Sequence, residues 1–330
     1  MNARRMLGVG LTPMETRREV VLHVARRAEE LGYDMFTLAE GWGHDAGVLL
    51  AEVASRTNRI RIGTGVLNVW GRSPATIAML ATSLAETSGG RFSLGLGAGS
   101  PPLAEGFHDV PFVGPATKLA DVTRQVRRLL AGNRIEQSRP SEIRPLKLAL
   151  SPKSDIPLYL AALGPGSTRT AGELADGWMP FLLPASGLAT SIDLLEQGAT
   201  AVGRPRPQVA PNLPVAVSAD PAESLGIASW WVAFYLISMG PLYRDTLRRL
   251  GHGGAVDEVL AANPTPGTFV VPSSAMGLLE ELTVSGSPDE ARAALDTWYS
   301  AGAELPILVL PPGRDLATLD FMLEALRPGS

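Results

Sequence analysis

The chain has 330 residues, a formal charge of −4, 45% hydrophobic residues and no cysteine. That length and apolar content suffice for a large core, in one domain or two. Without cysteine there are no disulfides, iron–sulfur clusters, thiolate zinc sites or cysteine nucleophiles, and without a basic excess broad nucleic-acid affinity is not expected. No run approaches a membrane span, and the apolar patch Leu7 to Leu11 is too short for a signal-peptide core, so the sequence predicts a soluble cytoplasmic protein.

In chain order, Leu7 to Leu11 reads as a short strand, and Glu19 to Leu31 carries Val20, Val21, Val24, Ala25 and Ala28 at helical spacing before Gly32. Met35 to Ala39 is a buried strand leading into Glu40-Gly41-Trp42-Gly43-His44-Asp45, and the helix Ala46 to Thr57 follows. The next strand, Ile60 to Val66, alternates apolar residues but is interrupted by Gly63 and Gly65, as when something flat must lie against its backbone. Ser73 caps a helix with Pro74 at its first position, and Ser88-Gly89-Gly90 ends it. Phe92 to Gly97 is the fourth strand, giving a strand–helix–strand crossover whose strands must run parallel.

A long loop from Ala98 to Gly114 precedes the helix Lys118 to Leu130, and Gly132 to Ser154 reads as an irregular excursion or a hairpin. Strands are then expected at Leu158 to Ala162, Trp178 to Leu182, Val209 to Val217 and Leu305 to Leu310. Between the last two lie long helical material from Pro221 to Leu250, poorly periodic sequence from Gly251 to Ser285, and a Ser-Pro-Asp-Glu helix start at Ser287. Eight apolar strands alternating with helices favour a (β/α)₈ TIM barrel over an open sheet, here one domain spanning 1–330 with insertions at about 132–154 and 251–285. In such a barrel the loops after the strands share one mouth, which gathers Glu40 to Asp45, Val66 to Arg72, Ala98 to His108, Leu163 to Ser167 and Pro180 to Pro184.

Three clusters there bear on chemistry. Gly95-Leu-Gly97-Ala-Gly99 lacks the third glycine of GxGxxG, since Ser100 stands there and Pro101-Pro102 follows, so its glycines serve a close ligand approach or a tight turn. At Ala162-Leu163-Gly164-Pro165-Gly166-Ser167 a strand gives way to a helix N-terminus whose amides and hydroxyl can converge on an anion, or simply cap a helix. Glu40 and His44 on one loop can relay a proton, Trp42 can wall a substrate pocket with Asp45 beside it, and His108 lies on a loop that faces either substrate or solvent. Asn68 either hydrogen-bonds a ligand or shapes a turn. The four histidines show no paired metal spacing, and no GxSxG elbow is present. Trp230, Trp231, Phe234 and Tyr235 form an apolar helix surface that reads as core, dimer contact or lid.

The wording IGTGVLNVWGRSPA followed by LAETSGGRFSLGLGAG resembles the luciferase-like family of flavin and deazaflavin enzymes, most closely its deazaflavin-dependent reductase branch, which includes methylenetetrahydromethanopterin reductase. The resemblance runs over Leu7 to Gly203 and Ser285 to Leu326. It implies a non-prolyl cis peptide between Gly65 and Val66 whose bulge supports the central ring of the cofactor, a phosphate held near Gly164, Gly166 and Ser167 with Ala162 and Leu163 lining ring or tail, and a homodimer. Three positions depart from the pattern that the resemblance implies: Glu40 and Gly41 replace the Asp-His pair of many deazaflavin oxidoreductases, and Ser100 replaces the catalytic glutamate of the sugar-phosphate dehydrogenases. The expectation is a reductase using reduced coenzyme F420, with cofactor contacts from Gly65, Val66, Asn68, Gly97, Ala98 and Gly99 and a proton from Glu40 or His44. The alternatives are a monooxygenase using reduced FMN and a barrel that binds ligand without turnover.

Overall fold

A computed structural model describes residues 4–140, 142–265 and 267–329. The strands, in chain order, are β1 (Gly8–Leu11), β2 (Met35–Leu38), β3 (Arg61–Thr64), β4 (Leu67–Asn68), β5 (Phe92–Gly97), β6 (Leu158–Leu160), β7 (Gly177–Trp178), β8 (Gln208–Val209), β9 (Asn212–Val217), β10 (Val284–Gly286) and β11 (Ile307–Leu310). The helices are α1 (Arg18–Leu31), α2 (Ala46–Arg56), α3 (Pro74–Thr87), α4 (Pro101–Ala104), α5 (Pro115–Leu130), α6 (Pro165–Leu174), α7 (Leu188–Ala201), α8 (Pro221–Ser238), α9 (Pro241–Arg249), α10 (Gly253–Ala262), α11 (Gly277–Leu282), α12 (Pro288–Ser300) and α13 (Leu316–Ala325).

All strand pairs are parallel, and the neighbours run β11, β1, β2, β3, β5, β6, β7, β8. β8 and β9 are two halves of one stave: β8 pairs with β7, Phe181 bridges to Asn212, and β9 pairs with β11. Eight staves thus close the TIM barrel. Each stave buries both faces, because alternate residues point in and out. Met35, Tyr159, Met179, Ala210, Leu305 and Ile307 plug the interior, while Val9, Phe36, Ile62, Leu94, Leu158 and Leu308 belong to the larger core shared with the helices.

Helix starts follow the sequence closely. Ser73 Oγ accepts from Thr76 N–H with Pro74 in the first turn, and Ser287 with Glu290 forms a capping box. Glu29, on α1, accepts from the N–H groups of Asn58, Arg59 and Ile60 and so fixes the entry to β3.

The differences from the sequence reading have local causes. The third stave breaks into β3 and β4 at the Gly65–Val66 peptide, which is cis. The seventh breaks at Ala210-Pro211, where proline has no N–H for the ladder. Gly132 to Ser154 forms no strand among its described residues, although Ile135 N–H reaches the Leu146 carbonyl. The stretch Pro221 to Leu250 is two helices bent by 107° about Gly240-Pro241, not one. The segment from Gly251 to Ser285 contains α10, α11 and the start of β10, a strand that pairs with the second half of β9. Among the described residues no single helix is long and apolar enough to cross a membrane.

Candidate active site

At the carboxyl ends of the staves the inward positions above the plug are small: Gly10, Thr37, Gly65, Gly97 and Ala161. They leave a cavity of about 230 Å³. Two of these glycines are required by close approach: a Cβ on Gly97 would stand 2.5 Å from Val66 Cγ2, and one on Gly65 would stand 2.7 Å from Thr37 Cβ. The residues read from the sequence as cofactor support, Gly65, Val66, Gly97, Ala98, Gly99, Ala162 and Leu163, all line this cavity. The Glu40 N–H donates to the Val66 carbonyl at 3.0 Å, tying the end of the second stave to the break in the third.

Glu40 and Trp42 also line the cavity, and Trp42 is 46% exposed at its rim. Glu40 is engaged on both oxygens: Arg72 Nε donates to Oε1 at 3.2 Å, while Arg72 Nη2 and the Ala46 N–H donate to Oε2 at 2.9 and 3.1 Å. Arg72 also reaches Asp45 Oδ2 at 2.6 Å. These two carboxylates raise the Arg72 pKa above its ordinary value, the Glu40 hydrogen bond most of all. For Asp45, burial acts to raise the pKa, but hydrogen bonds from Arg72 and from the Val48 N–H outweigh it and hold the group below its ordinary value. Asp45 is the N-cap of α2, outside the cavity lining.

The structure separates His44 from this cluster. The ring is exposed, its Nε2–H donates to the Thr16 carbonyl at 2.8 Å, and it does not line the cavity, so the Glu40–His44 relay does not form. His108 and Asn68 are likewise outside the lining. Asn68 Oδ1 accepts from the N–H groups of Trp70 and Gly71, the turn reading, and its Nδ2 lies 3.3 Å from His108 Nε2, which packs over Gly71.

Gly164, Gly166 and Ser167 also lie beyond the lining, at the start of α6. Leu163 joins them to the cavity. The first-turn N–H groups of α6 have no intrahelical acceptor, the Ser167 hydroxyl donates to the Gly164 carbonyl at 3.0 Å, and Arg249 Nη2 donates to the Leu163 carbonyl at 2.8 Å. Among the described residues no group of three or more His, Asp or Glu side chains is placed to hold a metal ion.

Several lining residues were not singled out in the sequence: Thr12, Thr37, Phe181, Asn212, Tyr243 and Val309. All but Tyr243 sit at inward strand positions or just beyond strand ends, so alternation extended past each strand would have found them. Tyr243 comes from α9 and carries no such signal. Arg72 was placed at the mouth, but its partnership with Glu40 depends on the break after β3.

With this geometry in hand, residues 6–305 match the sequence profile of the luciferase-like monooxygenase family, and the chain belongs to that family. A Mycobacterium tuberculosis chain assigned as a coenzyme F420-dependent oxidoreductase is 28% identical, covering 94% of this chain and 96% of that one. The 5,10-methylenetetrahydromethanopterin reductase of Methanolobus tindarius is 26% identical over 89% of this chain and 90% of its own. In structure, the coenzyme F420-dependent tetrahydromethanopterin reductase of Methanopyrus kandleri superposes with a TM-score of 0.80 at 22% identity, covering 98% of both chains, which shows the shared fold.

Proposed function

We propose that this protein is an oxidoreductase using the deazaflavin coenzyme F420, and that it reduces an electrophilic C=C, C=N or C=O group of a small molecule. The observation that carries the reading is the cavity lining of Gly65, Val66, Gly97, Ala98 and Gly99, poor in side chains and suited to a planar ring. The near full-length Mycobacterium tuberculosis relative named for this coenzyme supports it. When bound, the deazaflavin supplies hydride from C5 of its reduced ring.

The chain's own residues do the positioning. Gly97, lacking a side chain, lets Val66 pack close and keeps the wall of the ring space flat, and Leu163 leads toward α6, where the N–H groups of Gly166 and Ser167 face a phosphate with a dipole contribution of about 0.3–1 kcal/mol. The Arg249 guanidinium, anchored on the Leu163 carbonyl, stands beside that helix start. Glu40, with both oxygens occupied, holds the loop that carries Trp42 in place and is poorly arranged to give up a proton. We further propose a homodimer, supported by Val48 on α2 and Met79 on α3, large apolar side chains 69% and 59% exposed on adjacent helices.

Anaerobic titration of the purified protein with reduced deazaflavin and with reduced FMN, followed by fluorescence, tests the reading. Tighter binding of the deazaflavin is expected. Preference for reduced FMN, with oxygen-dependent product formation, would replace it by the monooxygenase alternative.

A further inference from the structure

One corner of the cavity is built unlike its glycine-rich part. Phe181 from the sixth stave, Tyr235 from α8 and Tyr243 from α9 form a closed triangle of edge-to-face rings, with centroids 4.8 Å apart for Phe181–Tyr235, 5.4 Å for Tyr235–Tyr243 and 6.1 Å for Phe181–Tyr243. All three line the cavity beside Asn212. Asn212 is 7% exposed, and its side-chain amide makes no hydrogen bond among the described residues. Among the described residues the buried Thr12 hydroxyl, also in the lining, has no hydrogen-bond partner. Folded chains rarely leave a buried hydroxyl without a partner, so a polar group on the ligand is accommodated beside these rings.

The charge inventory is equally specific. Among the described residues no lysine, arginine, histidine or aspartate lines the cavity, and the one carboxylate there, Glu40, is already matched by Arg72. An anion placed there would be buried without a counter-charge. Aromatic edges and faces favour a flat ring, and Asn212 Nδ2 offers N–H donors to a carbonyl oxygen. Burial pushes both phenols above their ordinary pKa, so they remain O–H donors at neutral pH.

We propose that this corner is the substrate subsite and takes an uncharged aromatic carbonyl compound, its ring against Phe181, Tyr235 and Tyr243 and its oxygen accepting from the Asn212 amide. The inference deepens the reductase reading and rests on it only in calling the ligand a substrate.

Calorimetric titration of the full chain with benzylideneacetone and with cinnamate, which share a skeleton but differ in charge, tests it, with and without oxidised deazaflavin. The ketone is expected to bind at least about tenfold more tightly than the carboxylate, a difference of about 1.4 kcal/mol. Asn212→Leu and Tyr243→Ala should each weaken the ketone by about tenfold while oxidised deazaflavin binding stays within about twofold. If Tyr243→Ala fails to fold, Phe181→Leu replaces it in the comparison. Equal or tighter binding of cinnamate, or equal loss of ketone and deazaflavin in the variants, overturns the subsite. Deazaflavin binding without ketone preference sinks the subsite alone; ketone preference without deazaflavin binding sinks the reductase reading alone.

Discussion

Arg72 holds Glu40 at the cavity mouth through two contacts, Nη2 to Oε2 at 2.9 Å and Nε to Oε1 at 3.2 Å, and so joins the end of β2 to the turn before α3. The Glu40 side chain is only 9% exposed and that of Arg72 17%. Removing the guanidinium strands a nearly buried carboxylate. Arg72→Met should therefore lower stability by on the order of 3 kcal/mol, read as a fall in the urea midpoint. Arg72→Lys should recover only part of this, because an ammonium cannot span both oxygens as a planar fork does. An unchanged midpoint for Arg72→Met would show that the pair contributes nothing.

His44 donates to a backbone carbonyl in solvent, away from the cavity. His44→Ala should leave turnover at the wild-type level and cost no more than about 1 kcal/mol of stability. A large fall in kcat with the fold intact would return this histidine to the reaction.

Gly97 has no room for a side chain beneath the site. The added methyl of Gly97→Ala would meet Val66 Cγ2 at 2.5 Å, an overpacking expected to cost about 1–3 kcal/mol and to push Val66 into the space assigned to the ring. Thermal denaturation measures the first effect and deazaflavin titration the second. A variant with unaltered Tm and affinity would mean that the wall yields freely there.

Glu29, Glu15 and Asp45 are among the carboxylates that sit below their ordinary pKa. For Glu29 and Glu15 burial acts to raise the value and is outweighed, by the N–H groups of Ile60, Arg59 and Asn58 in the first case and by the side chain and backbone of Arg17 in the second; Asp45 behaves alike. A depressed folded pKa means stability that is complete above the ordinary value, 4.5 for glutamate, and lost as pH falls through the lower folded value. Urea midpoints should accordingly be flat from neutral pH to about 5 and decline below about 4.5. Glu29→Gln should lower the plateau and make the decline shallower; an identical slope would remove Glu29 from the acid response.

The barrel was legible because its signals are local. The buried strand runs Met35 to Leu38 and Phe92 to Gly97, and the Ser73-Pro74 and Ser287-Pro288 helix starts, need no knowledge of distant contacts. The glycines at 65, 97 and 99 were legible as residues making space, and the family wording placed the cis peptide at Gly65–Val66. What the chain order hid was partnership at a distance. Whether Glu40 meets His44 or Arg72 is decided by the path of the backbone after Thr64, and the aromatic triangle joins positions 181, 235 and 243, which no periodicity links. The 107° bend at Gly240 is a similar case: Gly-Pro marks the corner, but nothing in the sequence sets the angle.

That bend has a practical corollary. Tyr235 and Tyr243 stand on its two arms, in helices that supply none of the eight staves, so substitutions at these positions reshape one wall of the cavity without altering any strand of the barrel. Laboratory libraries aimed at new ligands belong at this elbow first.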